Sequence, residues 1–134
     1  MKTRYLFDAG VLSLYFAGDK RVKKYFDMVF NGEVEGYILE VNLAEFYYKT
    51  AQVIGLDTAE IRYRMLRNSE FKFISSSGEV TREAGKIKLE NRNRLSLADS
   101  FLIATAKTFN AVILTTDKTV KEVAGKQAIH IEIK

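Results

Sequence analysis

The chain has 134 residues, 47% of them apolar, enough for one hydrophobic core without covalent staples, so a single domain over residues 1–134 is expected. It contains no cysteine, which excludes a disulfide framework, a thiol nucleophile and thiolate-bound zinc. Lysine and arginine outnumber aspartate and glutamate by 21 to 17, a formal charge of +4 that suits a polyanionic partner but is also common on soluble proteins without one.

Met1-Lys2-Thr3-Arg4 leads directly into a short apolar strand, with neither the apolar stretch nor the cleavage pattern of a secretory leader. No apolar run approaches the ~18 residues of a membrane span. A cytoplasmic protein is the expectation. Tyr5-Leu6-Phe7 reads as the first strand, ending at Asp8, and Val11, Leu12, Tyr15 and Phe16 then keep helical spacing. Val22, Tyr25, Phe26, Val29 and Phe30 stripe a second helix that Asn31-Gly32 ends. Tyr37-Ile38-Leu39 is the second strand. The helix after it carries an apolar stripe of Leu43, Phe46, Tyr47, Thr50, Val53 and Ile54 and closes at Gly55, and Asp57 with Glu60 forms a capping box for the next.

Residues 71–74 read as the third strand, ended by Ser75-Ser76-Ser77-Gly78, and Val80, Ala84 and Ile87 stripe a helix beyond it. A further helix covers Leu97–Phe109, with strand four at 111–114, a short helix at 120–124 and strand five at 129–133. In that last strand alternation sets His130, the only histidine, with Glu132 on the face opposite Ile129, Ile131 and Ile133, an exposed structural position. Strands alternating with helices across short turns predict right-handed crossovers and a three-layer α/β fold with a mostly parallel five-stranded sheet. Such sheets bind ligands outside the carboxyl ends of their strands.

Four carboxylates map to that edge. Asp8 follows strand one, Glu45 lies in the first turn after strand two, Asp117 follows strand four, and Asp99 opens the helix feeding strand four. Each has a purely structural explanation: Asn42-x-x-Glu45 and Ser96-x-x-Asp99 read as capping boxes, while Asp8 and Asp117 suit turns or helix caps. Together they carry more weight, because each close pair of carboxylates repels by about 4 kcal/mol at an effective dielectric near 20. Protonation or a bound cation must relieve that. With oxygen donors alone the expected ion is hard, Mg²⁺ or Mn²⁺, and such ions activate water against phosphodiesters. Neither a phosphate-cradling glycine loop nor a G-x-S-x-G elbow occurs, and a receiver-type phosphoacceptor would carry aspartate where Ser75 stands.

The segments YLFDAGVL, VNLAEFYYKT, LSLADSFLIATA and AVILTTDKTV, in that order, resemble the acidic motifs of PIN domains, above all the short VapC-like ribonuclease toxins. The resemblance implies a Rossmann-like five-stranded parallel sheet and a Mg²⁺- or Mn²⁺-dependent endoribonuclease site, in proteins that are frequently homodimers and, when toxins, silenced by a cognate antitoxin. By position Asp8, Glu45 and Asp99 match the three core metal-site acids, Asp117 the more variable fourth, and Thr115 a hydroxyl residue that helps position phosphate or water. The chain departs from the pattern at Gly10, where relatives carry a hydroxyl or amide residue, and at Thr119, where a second aspartate often follows the fourth acid.

Arg82, Lys86, Lys88, Arg92 and Arg94 precede the Asp99 motif and suit a basic track for RNA phosphates, unless Glu79, Glu83 and Glu90 pair with them across helical turns. Phe46 and Tyr47 belong to a buried stripe, whereas Tyr48 points elsewhere, toward a dimer contact. Three functions fit: a toxin-type endoribonuclease with an antitoxin, a housekeeping PIN nuclease in RNA processing without one, or a non-catalytic RNA-binding module. Retention of all four acids argues against the last.

Overall fold

The computed structural model describes residues 1–133. Five strands, β1 (Arg4–Phe7), β2 (Glu35–Leu39), β3 (Lys72–Ile74), β4 (Val112–Thr115) and β5 (Ala128–His130), form one sheet in the order β3-β2-β1-β4-β5. Every pairing is parallel, so the expected three-layer α/β architecture is borne out. The chain winds outward from β1 through β2 to β3, then returns to the other side of β1 for β4 and β5. The strand order therefore reverses between β1 and β4, where this class of sheet opens a crevice at its carboxyl edge.

Alternation along the strands divides the core into two layers. Leu6, Leu39 and Ile113 face the helices α5 (Gly78–Glu90), α6 (Leu97–Phe109) and α7 (Lys118–Ala124). Phe7, Ile38 and Leu114 face α1 (Ala9–Phe16), α2 (Lys20–Phe30), α3 (Glu40–Ile54) and α4 (Leu56–Arg67). On the second face Phe26 stacks on Tyr15 with ring centroids 3.9 Å apart and meets Phe7 and Phe71 edge to face. Close approach of α2 to β2 depends on Gly36, where a Cβ would stand 2.6 Å from Val29 Cγ2 and 2.9 Å from Phe71 Cε1. No helix of the described residues is long and apolar enough to cross a membrane.

Several local expectations need correction. α3 begins at Glu40, with Leu39 at the cap and no capping side chain, so Asn42 lies inside the helix instead of forming a box with Glu45. α4 begins at Leu56 behind Gly55, whose φ of 117° only glycine holds easily, and Asp57 sits in the first turn without capping. Val53 and Ile54, read as part of the buried stripe, are exposed in the last turn of α3 before Gly55. The last strand stops at His130, leaving Ile133 exposed, and His130 is half-buried with Nε2 3.3 Å from the Thr116 carbonyl.

Candidate active site

Asp8 ends β1 and caps α1 at the same time. Its Oδ1 accepts from Val11 N at 2.8 Å, and its Oδ2 accepts from Thr116 N at 3.1 Å and from the Thr115 hydroxyl at 2.5 Å. The buried Thr115 hydroxyl also accepts from Asp117 N at 3.0 Å. Thr115 thus ties the ends of the two central strands together and fixes Asp8, and does not face solvent as a phosphate ligand would. Asp117 caps α7 by accepting from Thr119 N at 2.7 Å and Val120 N at 3.3 Å. Asp99 stands in the first turn of α6, its N–H bonded at 3.0 Å to the Ser96 hydroxyl that caps the helix. Glu45 projects from the second turn of α3, its Oε2 2.9 Å from Lys49 Nζ.

Electrostatics tie these acids into one cluster. Burial, then repulsion from Asp117, Asp8 and Glu45, pushes the Asp99 carboxyl up to about 6, against a lowering contribution from Ser96. Burial also raises Asp8, with Glu45 adding to the rise, although hydrogen bonds from Thr115, Val11 and Thr116 oppose it. All three other acids therefore add to the rise at Asp99, after burial. A cation would relieve that repulsion, and the all-carboxylate donor set is the chemistry of a hard ion such as Mg²⁺ or Mn²⁺. Yet among the described residues no group of three or more His, Asp or Glu side chains stands at ion-holding spacing. Asp8 and Asp117 cap helices, and Glu45 is paired with Lys49. The donor types fit such an ion, while Lys49 already neutralises Glu45.

The basic track is only partly as expected. Arg82 and Arg92 are exposed, but Arg94 pairs with Glu122 at 2.7 Å. Lys88 Nζ donates to the carbonyls of Arg92 and Leu95, so it shapes the turn between α5 and α6. Glu83 reaches Lys107 across to α6 at 3.8 Å instead of pairing along its own helix. Sequence reasoning missed Lys49, whose only signal was its position four residues after Glu45, and Asn42, hidden behind an apparent capping box. It also missed Thr116, which explains Gly10: a Cβ at position 10 would stand 2.0 Å from Thr116 Oγ1. Thr116 at the end of β4 thus fills the space that a side chain at position 10 would need.

Residues 5–126 match the family model of the PIN domain. The chain belongs to the PIN domain family. This PIN domain is similar in fold to a toxin-antitoxin complex from Klebsiella pneumoniae, with 17% identity over 96% of this chain and 99% of that one and a TM-score of 0.71. VapBC2 from Rickettsia felis, bound to a DNA fragment from its promoter, is similar at 13% identity, 98% and 100% coverage and a TM-score of 0.75. So is VapC20 from Mycobacterium tuberculosis, a sarcin-ricin loop cleaving toxin, at 13% identity, 98% coverage of both chains and a TM-score of 0.70. No curated protein matches the sequence.

Proposed function

We propose that this PIN domain is a divalent-metal-dependent endoribonuclease acting in the cytoplasm, the toxin of a toxin-antitoxin pair, with Asp8, Glu45, Asp99 and Asp117 holding Mg²⁺ or Mn²⁺. The observation that carries the reading is placement: Asp8 and Asp117 follow β1 and β4, between which the strand order reverses, and Asp99 stands in the first turn of α6, the helix that leads into β4. A bound ion would supply an activated water and a charge to orient the scissile phosphate. The protein's part is placement. Thr115 holds Asp8 against rotation, Ser96 sets the first turn that carries Asp99, and the caps on α1 and α7 anchor the ends of β1 and β4. Exposed Arg92, with Arg94 in the same turn before α6, attracts RNA phosphates to an otherwise acidic rim, and exposed Arg82 extends the basic surface along α5. The names of the similar complexes, toxin-antitoxin and VapBC, support an antitoxin partner, and the name of VapC20 supports a structured RNA loop as substrate.

Cleavage of a stem-loop RNA with Mg²⁺ or Mn²⁺, with and without chelator, tests this in the wild type, Asp99→Asn and Arg92→Ala. Cleavage is expected to need the ion and to fall by about 100-fold or more in Asp99→Asn, which removes one charge from the cluster. Arg92→Ala should weaken RNA binding with a salt slope smaller by about 1. Chelator-resistant cleavage or an unimpaired Asp99→Asn defeats the mechanism. Tight RNA binding without cleavage favours a non-catalytic binding module.

A further inference from the structure

Asn42 has no exposed surface, and neither its Nδ2 nor its Oδ1 has a hydrogen-bond partner among the described residues. An orphaned buried amide is unfavourable, and each such group in a folded chain calls for a cause. Leucine has the same branched shape and would fill this place without polar atoms. Asn42 precedes Glu45 by three residues in α3, which sets the two on one helical face. Helical side chains lean toward the helix N-terminus, so the natural lean of Glu45 is back over Asn42. Here Glu45 reaches the other way, to Lys49 one turn ahead at 2.9 Å. That pair is half-exposed on both sides, with side-chain exposures of 53% and 31%, and ion pairs of this kind hold weakly.

We infer that Glu45 alternates between two partners: Lys49 when no ion is bound, and Asn42 when one is, the Asn42 Nδ2 donating to the carboxylate and holding it toward Asp8 and Asp99. The inference rests on the metal-site reading above. Two independent observations meet in it, an amide with nothing to bond and a site carboxylate held by Lys49 one turn ahead instead of over that amide. The chemistry suits the residue. A neutral amide fixes a carboxylate by hydrogen bonding without competing for its charge, whereas the Lys49 ammonium competes directly with an incoming cation. Asn42 is on this account a positioning residue, and Lys49 is the counter-ion that an entering metal displaces.

Calorimetric titration with Mn²⁺ tests this in the wild type, Asn42→Leu and Lys49→Gln, alongside thermal melts in chelator. Asn42→Leu should melt higher than the wild type without ion, because the orphaned amide is gone, and bind Mn²⁺ about 10-fold or more weakly. Lys49→Gln should bind Mn²⁺ more tightly. A folded Asn42→Leu with unchanged Mn²⁺ affinity overturns the inference and leaves Asn42 a purely structural residue, while the metal-site reading stands. A wild type that binds no Mn²⁺ overturns both. Should Asn42→Leu fail to fold, Mg²⁺ titration followed by NMR decides in the wild type: the Asn42 side-chain amide protons should move downfield, and the movement should vanish in Glu45→Ala. Amide protons that stay put, or that move equally in Glu45→Ala, overturn the inference.

Discussion

At the scale of single residues, the candidate site is made of side chains that serve as structure and as chemistry at once. Asp8, Asp117 and Ser96 are helix caps by every geometric sign, so the structural explanation available from sequence is correct for each. It does not compete with the functional one, because a cap at the carboxyl edge of a central strand is also a carboxylate at the crevice. This changes which substitution is informative. Asp8→Asn conserves shape on paper, but it would turn an amide N–H toward the Thr116 N–H and the Thr115 hydroxyl in a buried place. Asp99 is the cleaner probe, since Ser96 bonds its backbone and its carboxyl is strained mainly by burial and by its neighbours. Its folded pKa, about 6, lies above the ordinary carboxylate value. Asp99 therefore favours the fold most at pH below its unfolded pKa of about 4, and that contribution is lost as pH rises through 6. In chelator, the melting temperature of the wild type minus that of Asp99→Asn should fall between pH 4 and pH 7. A difference that is flat, or that rises, removes the claim that Asp99 sits among repelling acids.

At the scale of elements, the length and end of α6 were legible from its apolar spacing and its Ser96 start, and the structure places the helix over Leu97–Phe109 as read. The order of strands and helices was legible for the same reason: period and turn residues agree along most of the chain. What failed were positions where the same letters serve two geometries. Asn42-x-x-Glu45 has the pattern of a capping box, but the cap is Leu39, three residues earlier, and nothing in the local pattern says that Asn42 is buried. Val53 and Ile54 fit the apolar stripe of α3, yet in its last turn they are exposed. The placement of Asp8 and Asp117 just after the two central strands followed from topology, whereas the pairing of Glu45 with Lys49 is a rotamer that no pattern encodes. The cap of α6 offers a direct test of how an element holds the site. Ser96→Ala removes the acceptor for Asp99 N and should cost about 1 kcal/mol in urea denaturation. Ion binding should weaken as well, because the first turn carrying Asp99 frays. Restoration of both by Ser96→Asp would assign the effect to the cap, whereas a loss of stability without any change in ion binding would separate the two.

For the whole molecule, the distribution of apolar surface bears on assembly. The aromatic content of 12% suggests from sequence that more rings exist than one small core can hide. The structure hides most of them: Tyr15, Phe26, Phe71 and Phe7 interlock, and Phe16 lies between Phe46, 5.7 Å away, and the Arg62 guanidinium at 5.0 Å. What remains exposed is mainly aliphatic, and much of it is close together in sequence. Val53, Ile54 and Leu56 flank the turn between α3 and α4, and Ile61 and Met65 follow one turn apart on the outer side of α4. Apolar side chains gathered this way usually mark an interface, and a closed twofold dimer covers such a patch with a second copy of itself. A homodimer is therefore expected by light scattering at micromolar concentration, with Ile61→Glu reducing the mass to that of one chain. Because Ile61 is 60% exposed, the substitution should leave the melting temperature of the isolated fold almost unchanged. A wild type that is monomeric at these concentrations would refute self-association through this face, and loss of antitoxin binding in Ile61→Glu would then give the surface to the partner protein.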